Sequence, residues 1–248
     1  MNDLPDLSGR LALVTGASRG IGYFLAKHFA AAGAHVIAVA RTQGGLEELD
    51  DEIKAGGGAA TLVPLDVTDY PGIDRLGAAI FERWGKLDIL AANAGVLGTI
   101  SPIGHVEPKV FDKVMAVNVT ATWRLIRSMD PLLRLSDAGR AIIMSSGSAH
   151  SCKAFWGPYA ASKAAVEALA RSWAHETQNM KLRVNSVNPG ATRTAMRAQA
   201  VPGEDPQTLP TPDTVARAIA ALADPELTVT GKLFDVPENR FLDYNRPA

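Results

Sequence analysis

Leu11-Ala12-Leu13-Val14-Thr15-Gly16-Ala17-Ser18-Arg19-Gly20-Ile21-Gly22 is the stretch that decides how this chain reads. A short, almost continuous apolar run, Leu11 to Thr15, has the pattern of a strand buried on both faces of a parallel sheet. The glycines at 16, 20 and 22 follow it with spacing G-x-x-x-G-x-G, and a helical pattern then runs from Gly22 to Ala32. The spacing differs from G-x-G-x-x-G, and no Gly-Lys-Ser/Thr follows to make a P-loop. The physics is still that of a phosphate turn. Glycines permit positive φ and close backbone approach, and the next helix offers free N–H groups and its positive dipole end to an anion.

Working outward, six further apolar runs read as strands: His35–Ala40, Thr61–Leu65, Asp88–Ala92, Ala141–Met144, Leu182–Val187 and Leu233–Val236. Helical spacing fills the intervals at Leu46–Ala55, Ile73–Trp84, Pro108–Ser128, Tyr159–Gln178 and Pro212–Ala223. Such alternation implies βαβ units with right-handed crossovers. The expectation is one doubly wound Rossmann-type α/β domain over residues 1–248, with a seven-stranded, mainly parallel sheet and helices on both faces. Residues 189–212, rich in proline and weak in periodicity, read as a substrate lid. Residues 237–248 read as a C-terminal tail that docks on its own body or on a partner.

Composition narrows the function classes. The 248 residues are 47% hydrophobic and 21% charged, in the ordinary globular range. Lys and Arg number 25 against 26 Asp and Glu, so the basic excess of a nucleic-acid binder is missing. Cys152 is the single cysteine, which excludes an internal disulfide or a multi-cysteine zinc site. The five histidines lack paired ligand spacing, and no catalytic metal is expected. The opening MNDLPDLSGR lacks a basic segment leading into an apolar run, and no stretch is long and apolar enough to span a bilayer. A cytoplasmic protein without membrane or nucleic-acid partners is the expectation.

The end of the second strand bears on which dinucleotide binds. NAD sites typically place a carboxylate there for the ribose 2′-hydroxyl, whereas a 2′-phosphate calls for arginine. The residues are Val39-Ala40-Arg41-Thr42, with Arg19 in the glycine turn and no carboxylate. Paired, charge-assisted hydrogen bonds from Arg41 suit a phosphate, so NADP is the expected cofactor.

Four segments in order make the chain resemble the classical short-chain dehydrogenase/reductase family. They are Thr15-Gly16-Ala17-Ser18-Arg19-Gly20-Ile21-Gly22, Asn93-Ala94-Gly95, Tyr159-Ala160-Ala161-Ser162-Lys163 and Asn188-Pro189-Gly190. Arg193-Thr194-Ala195-Met196-Arg197 through Glu204-Asp205-Pro206 is similar to a bacterial branch of largely uncharacterised oxidoreductases. The resemblance implies that Asp66 and Val67 border the adenine, and that Asn93, Ala94 and Gly95 support the central strand and the cofactor. It also implies that Pro189, Gly190, Thr192 and Thr194 lie along the nicotinamide, Thr194 foremost. Two departures stand out: Ala92 replaces the first Asn of Asn-Asn-Ala-Gly, and Phe234-Asp235-Val236-Pro237-Glu238-Asn239 replaces the usual Asp-Gly-Gly ending.

Tyr159 and Lys163, four apart, share one face of a helix. A free phenol titrates near 10, and a neighbouring ammonium favours its anion, bringing it towards working range. Ser146 stands thirteen residues before Tyr159, at the carboxyl end of a strand where ligands collect in such sheets. Ser145 and Ser148 compete with it on residue type, and the family's spacing selects Ser146 to bond the substrate oxygen. Asn118, polar within an apolar helical run, needs a partner. The resemblance gives it a water in a proton relay; a structural bond to backbone is the alternative. The segment Ser148–Pro158 is expected to line the pocket, with Lys153, Arg193 and Arg197 as candidate contacts for an anionic substrate. Cys152 reads as a packing residue.

These expectations describe an NADP-dependent oxidoreductase acting on a small carbonyl or secondary alcohol. A dinucleotide-binding regulator with vestigial redox chemistry is the alternative from another class, since such folds are reused. An isomerase or dehydratase is disfavoured because those usually carry a larger substrate domain. Assembly as a homodimer or homotetramer is expected by family analogy, and from the apolar run Val166, Leu169, Ala170 and Trp173.

Overall fold

The computed structural model describes residues 4–244. Chain order runs β1 (Leu11–Thr15), α1 (Gly20–Ala31), β2 (His35–Ala40), α2 (Gln43–Ala55), β3 (Ala59–Pro64), α3 (Tyr70–Trp84) and β4 (Ile89–Ala92). It continues through α4 (Pro108–Val114), a π-helical turn (Met115–Thr120), α5 (Ala121–Leu133), β5 (Arg140–Met144), α6 (Ser148–Ser151), α7 (Gly157–Glu176) and β6 (Arg183–Asn188). The last elements are α8 (Ala195–Ala200), α9 (Pro212–Ala220), β7 (Leu233–Asp235) and β8 (Arg240–Leu242).

One sheet has the order β3-β2-β1-β4-β5-β6-β7-β8, parallel throughout except for the antiparallel pair β7–β8. The order reverses between β1 and β4, the switch point at which doubly wound sheets open a crevice beyond their carboxyl ends. Both faces are covered, as the apolar runs require. Along β1, Ala12 and Val14 point into a layer with Leu25, Phe29 and Ile219. Leu11 and Leu13 point the opposite way, towards Ile73, Met129 and Trp173. Period-two alternation thus feeds two separate cores from one strand.

Three expectations change. The sheet has eight strands rather than seven, because part of the expected tail folds back: Leu233, Phe234 and Asp235 pair with Leu242, Phe241 and Arg240. Asn239 supplies the left-handed residue of the connecting turn, at φ 49°. The remainder of that tail, residues 245–248, lies outside the described residues, as does the very start of the chain, residues 1–3. The helix expected over Pro108–Ser128 is broken in register by the π turn and extends to Leu133. Val166, Ala170 and Trp173 are buried in the chain's own core, and Trp173 Nε1 donates to Asp130 Oδ1 at 2.7 Å. Their apolar character is used inside the fold, while Leu169 on the same helix is half-buried. Among the described residues, no helix is long and apolar enough to cross a membrane.

Candidate active site

The glycine turn lies where β1 hands over to α1. Gly16 has φ +69°, which only glycine adopts readily, and a Cβ at Gly22 would overlap the Asn93 side chain and the Gly16 carbonyl. Asn93 is the strap: its Nδ2 donates to Thr15 O at 2.9 Å, and Thr15 Oγ1 accepts from the backbone N–H of Asn93 and of Ala94, both at 3.1 Å. The turn and the end of β4 are therefore fixed to each other. Arg19 is the N-cap residue of α1 and caps it with no side-chain bond, and the first turn of α1 carries no acid. That leaves an electropositive helix start beside a glycine-lined backbone, a cradle that fits a pyrophosphate.

Arg41 is exposed just beyond β2, with Nη1 3.7 Å from Asp66 Oδ2. Burial works to raise the Asp66 carboxyl, but hydrogen bonds from Thr68 and the charge of Arg41 outweigh it and hold it below its ordinary value. Val67 beside it is buried. β2 itself, His35–Ala40, carries no carboxylate.

The expected reacting groups converge at the ends of β4 and β5. Tyr159, Lys163 and Asn118 are buried, and Ser146 is half-buried. The Ser146 hydroxyl acts on the Tyr159 phenol and lies 3.2 Å from Ser148 Oγ. Lys163 Nζ sits 5.6 Å from the Tyr159 ring centroid and donates to Met144 O at 2.7 Å. A Cβ at Gly95 would lie 3.4 Å from Asn118 Oδ1 and 3.6 Å from Lys163 Nζ, so these three residues share one corner.

The electrostatics correct one expectation. Burial pushes the Tyr159 phenol up from its ordinary value, and the Ser146 hydroxyl only partly offsets it. Burial also lowers the Lys163 ammonium to about 8, against a smaller upward pull from Glu167. The ammonium lies over the ring face and spends its short bond on Met144 O, so desolvation governs the phenol. Burial thus favours the protonated phenol.

The serines separate by environment. Ser145 is buried and its hydroxyl donates to Glu167 Oε1 at 2.5 Å, which turns it away from the crevice. Asn118 shows the structural alternative in full. Its Oδ1 accepts from Val96 N–H at 2.8 Å, while Nδ2 donates to Val96 O at 2.9 Å and Ser162 Oγ at 3.0 Å. Its amide is committed to holding the chain beyond Gly95 against α7.

Thr192 is buried within its own turn, Oγ1 lying 3.4 Å from both Pro189 O and Gly190 O. Thr194 caps α8, accepting from Arg197 N–H at 3.2 Å, and its methyl would stand 3.7 Å from a Cβ at Gly20. The segment after β6 thereby comes close to the glycine turn. Its two arginines differ: Arg197 grips Glu204 through two 2.6 Å bonds, whereas Arg193 donates to Leu209 O at 3.2 Å and, among the described residues, meets no carboxylate. Arg193 Nε is buried without a hydrogen-bond partner among those residues, and Lys153 is exposed. Cys152 is exposed, with φ 41° at the end of α6, rather than packed inside. Phe155 is exposed and Trp156 stacks edge-on at 6.0 Å from Tyr159, so only the latter walls the phenol.

Two residues escaped the sequence reading. Asn188 Oδ1 accepts from Gly147 N–H at 2.8 Å and Gly190 N–H at 3.1 Å, while its Nδ2 donates to Asp235 Oδ1 at 2.6 Å. It ties the loop after Ser146 to the Pro189–Gly190 turn. Its signal was its place at the head of Asn-Pro-Gly. The other is Glu167, four after Lys163 and eight after Tyr159 in an otherwise apolar stripe. Among the described residues, no group of three or more His, Cys, Asp or Glu is placed to hold a metal ion.

A reversed parallel sheet, a glycine turn against a helix start and a Tyr–Lys pair on the crevice wall define the class of doubly wound dinucleotide-binding proteins. The profile of the family described as short chain dehydrogenase matches residues 10–205, and the chain belongs to that family. It is 40% identical over 238 residues to the uncharacterized oxidoreductase YciK of Escherichia coli K12, with 94% of each chain covered. A crystal structure from Shigella flexneri 2a, provisionally described as a short chain dehydrogenase and complexed with NADP, superposes with a TM-score of 0.90. Its identity is 39%, over 95% of this chain and all (100%) of that one. A similarly described structure from Escherichia coli CFT073, complexed with NADPH, gives 0.87 at 39% identity over 95% and 99% of the two chains.

Proposed function

We propose that the protein is an NADP(H)-dependent oxidoreductase that interconverts a carbonyl and a secondary alcohol. The observation that carries the reading is the convergence of Ser146, Tyr159 and Lys163 beside the glycine turn. The dinucleotide is held by Gly16, Ser18, Arg19, Gly20, Ile21 and Gly22 around the pyrophosphate, and by Arg41, Asp66 and Val67 at the adenosine end. Asn93, Ala94, Gly95, Pro189, Gly190, Thr192 and Thr194 border the nicotinamide half. NADP in one 39%-identical neighbour and NADPH in the other support the choice of nucleotide, as does Arg41 in place of a carboxylate. When bound, the reduced nicotinamide supplies hydride.

The chain's own residues supply the rest. Ser146 donates a hydrogen bond to the substrate oxygen and fixes its direction. Tyr159, protonated at neutral pH, gives its proton to that oxygen. Lys163 stabilises the phenolate left behind and grips the nicotinamide ribose. Asn118 keeps Val96 and α7 in register, so the Lys163 ammonium stays over the face of the Tyr159 ring. The lid closes water out from above, with Gln199 Nε2 already 3.4 Å from Gly98 O across the crevice. The proton returns through the same phenol in the oxidative direction. Subunit assembly as a homodimer or homotetramer and a cytoplasmic site of action belong to the same reading, and light scattering tests the former.

The test is a panel of aldehydes, ketones and secondary alcohols followed by cofactor absorbance, with Tyr159→Phe as control. Turnover by the wild type, lost in the variant while NADPH still binds, is the expected result. Turnover near wild type in Tyr159→Phe would remove the assigned roles. Intact NADPH binding without turnover of any compound would favour a regulator.

A further inference from the structure

Glu167 is only 3% exposed and lies one turn beyond Lys163 on α7. A carboxylate so buried needs partners, and here they come from separate elements. Ser145, at the end of β5, donates its hydroxyl to Oε1 at 2.5 Å. His150, on α6, places Nε2 3.0 Å from Oε2. On α7 itself, the charge of Glu167 acts on Lys163 and raises its ammonium. Tyr244, beyond β8, covers the cluster: its ring lies 6.2 Å from that of His150 and 4.5 Å beneath the Arg171 guanidinium. Lys163, Arg171, His150 and Tyr244 are thus the titratable and charged groups around it.

Ser145 is the residue before Ser146, and Lys163 supports Tyr159. A bond from Glu167 to Ser145 and its place one turn beyond Lys163 therefore set it against the immediate neighbours of Ser146 and Tyr159, the two groups that must meet at the substrate oxygen. We propose that Glu167 is a positioning residue, which holds the end of β5 against α7 through Ser145 and sets its carboxyl one turn from Lys163. The proposal rests on the oxidoreductase reading for its consequence in turnover, but its structural half does not. Loss of the carboxylate lets the Ser145–Ser146 turn shift relative to the phenol, and a displacement of this kind is costly in rate although Glu167 never touches substrate. Loss of the negative charge alone leaves the turn in place and makes the buried ammonium easier to deprotonate.

Full-length protein with 13C-labelled lysine, Lys163 being assigned through Lys163→Arg, allows its titration to be followed by NMR without substrate. In Glu167→Gln, Lys163 is expected to titrate lower than in wild type by about half a pH unit or more. In turnover, Glu167→Ala and Ser145→Ala are expected to lose about tenfold or more in kcat with KM for NADPH held within about twofold. Glu167→Gln is expected to keep most of kcat at neutral pH while its activity falls off at lower pH than the wild type. A Lys163 titration unchanged in Glu167→Gln, with kcat retained in Glu167→Ala and Ser145→Ala, would overturn the proposal. Should Glu167→Ala fail to fold, Ser145→Ala and Glu167→Gln decide the matter. Should the wild type reduce no carbonyl, the oxidoreductase reading fails while the lysine titration still decides whether Glu167 acts on Lys163.

Discussion

Lys163 Nζ stands 5.6 Å from the centroid of the Tyr159 ring and donates to Met144 O at 2.7 Å, so one ammonium joins the phenol to the end of β5. Removing the hydroxyl leaves this arrangement intact and deletes only the transferable proton. Tyr159→Phe is accordingly expected to lower kcat by about 10²–10⁴-fold while NADPH affinity stays within about twofold, since general acid catalysis contributes at that scale. Steady-state rates and a fluorescence titration of NADPH measure the two quantities.

Burial lowers Lys163 to about 8, and its charged form is the one that stabilises the phenolate. Carbonyl reduction is therefore expected to be full below that pH and to decline as pH rises through about 8. In Lys163→Arg the guanidinium stays charged, so the decline disappears while a lower kcat reflects the altered reach. A pH profile of kcat for the two proteins is the measurement. A shared alkaline limb would assign it to another group.

Arg41 is exposed and pairs only loosely with Asp66, at 3.7 Å, so its guanidinium is available to a 2′-phosphate. Arg41→Ala is expected to weaken NADPH binding by about tenfold or more and leave NADH nearly unchanged, as loss of hydrogen bonds to a charged group predicts. Parallel dissociation constants for the two nucleotides check it. Tighter NADH binding in the wild type, unmoved by the substitution, would remove the NADP assignment.

Asp88 is fully buried and accepts from Leu11 N–H at 2.9 Å, Ser136 Oγ at 2.6 Å and Lys86 Nζ at 2.9 Å. Burial works to raise its carboxyl, but these three donors outweigh it and hold it below the usual value. A carboxyl lowered by folding contributes stability above the ordinary carboxylate range, and that contribution is lost as pH falls through the folded value. Asp88→Asn is expected to cost about 2–3 kcal/mol at neutral pH, with the gap narrowing in acid. Denaturant unfolding of both proteins across that range tests it.

Much of the scaffold was legible because parallel strands bury both faces, so runs such as Leu11–Val14 and Ala141–Met144 are apolar throughout. The glycine turn and the Tyr159–Lys163 pair were legible because their spacing is the chemistry. β8 was not: three residues, with Arg240 at one end, pair antiparallel at a sheet edge and carry no apolar run. The choice between Ser145 and Ser146 is invisible in residue type, since it depends on which hydroxyl faces Glu167. Asn118 advertised a need for a partner but not which partner, because Val96 and Ser162 reach it only through the fold. The fate of Arg193 and Arg197 was equally hidden. A charge on a long connection reads the same whether it faces a ligand or, like Arg197, closes on Glu204.

The wide turn at Met115–Thr120 inserts one extra residue's worth of backbone between α4 and α5. Each α-helical residue rotates its side chain by about 100°, so the two halves of this long element are phased independently. Asn118 can then face Val96 while Leu125, Met129 and Leu132 still face the core. Deleting a single amino acid within that turn, however mild its chemistry, would straighten the rod and swing one of those two faces out of place. Length at this spot is as constrained as identity, and a shortened variant would forfeit either its crevice or its packing.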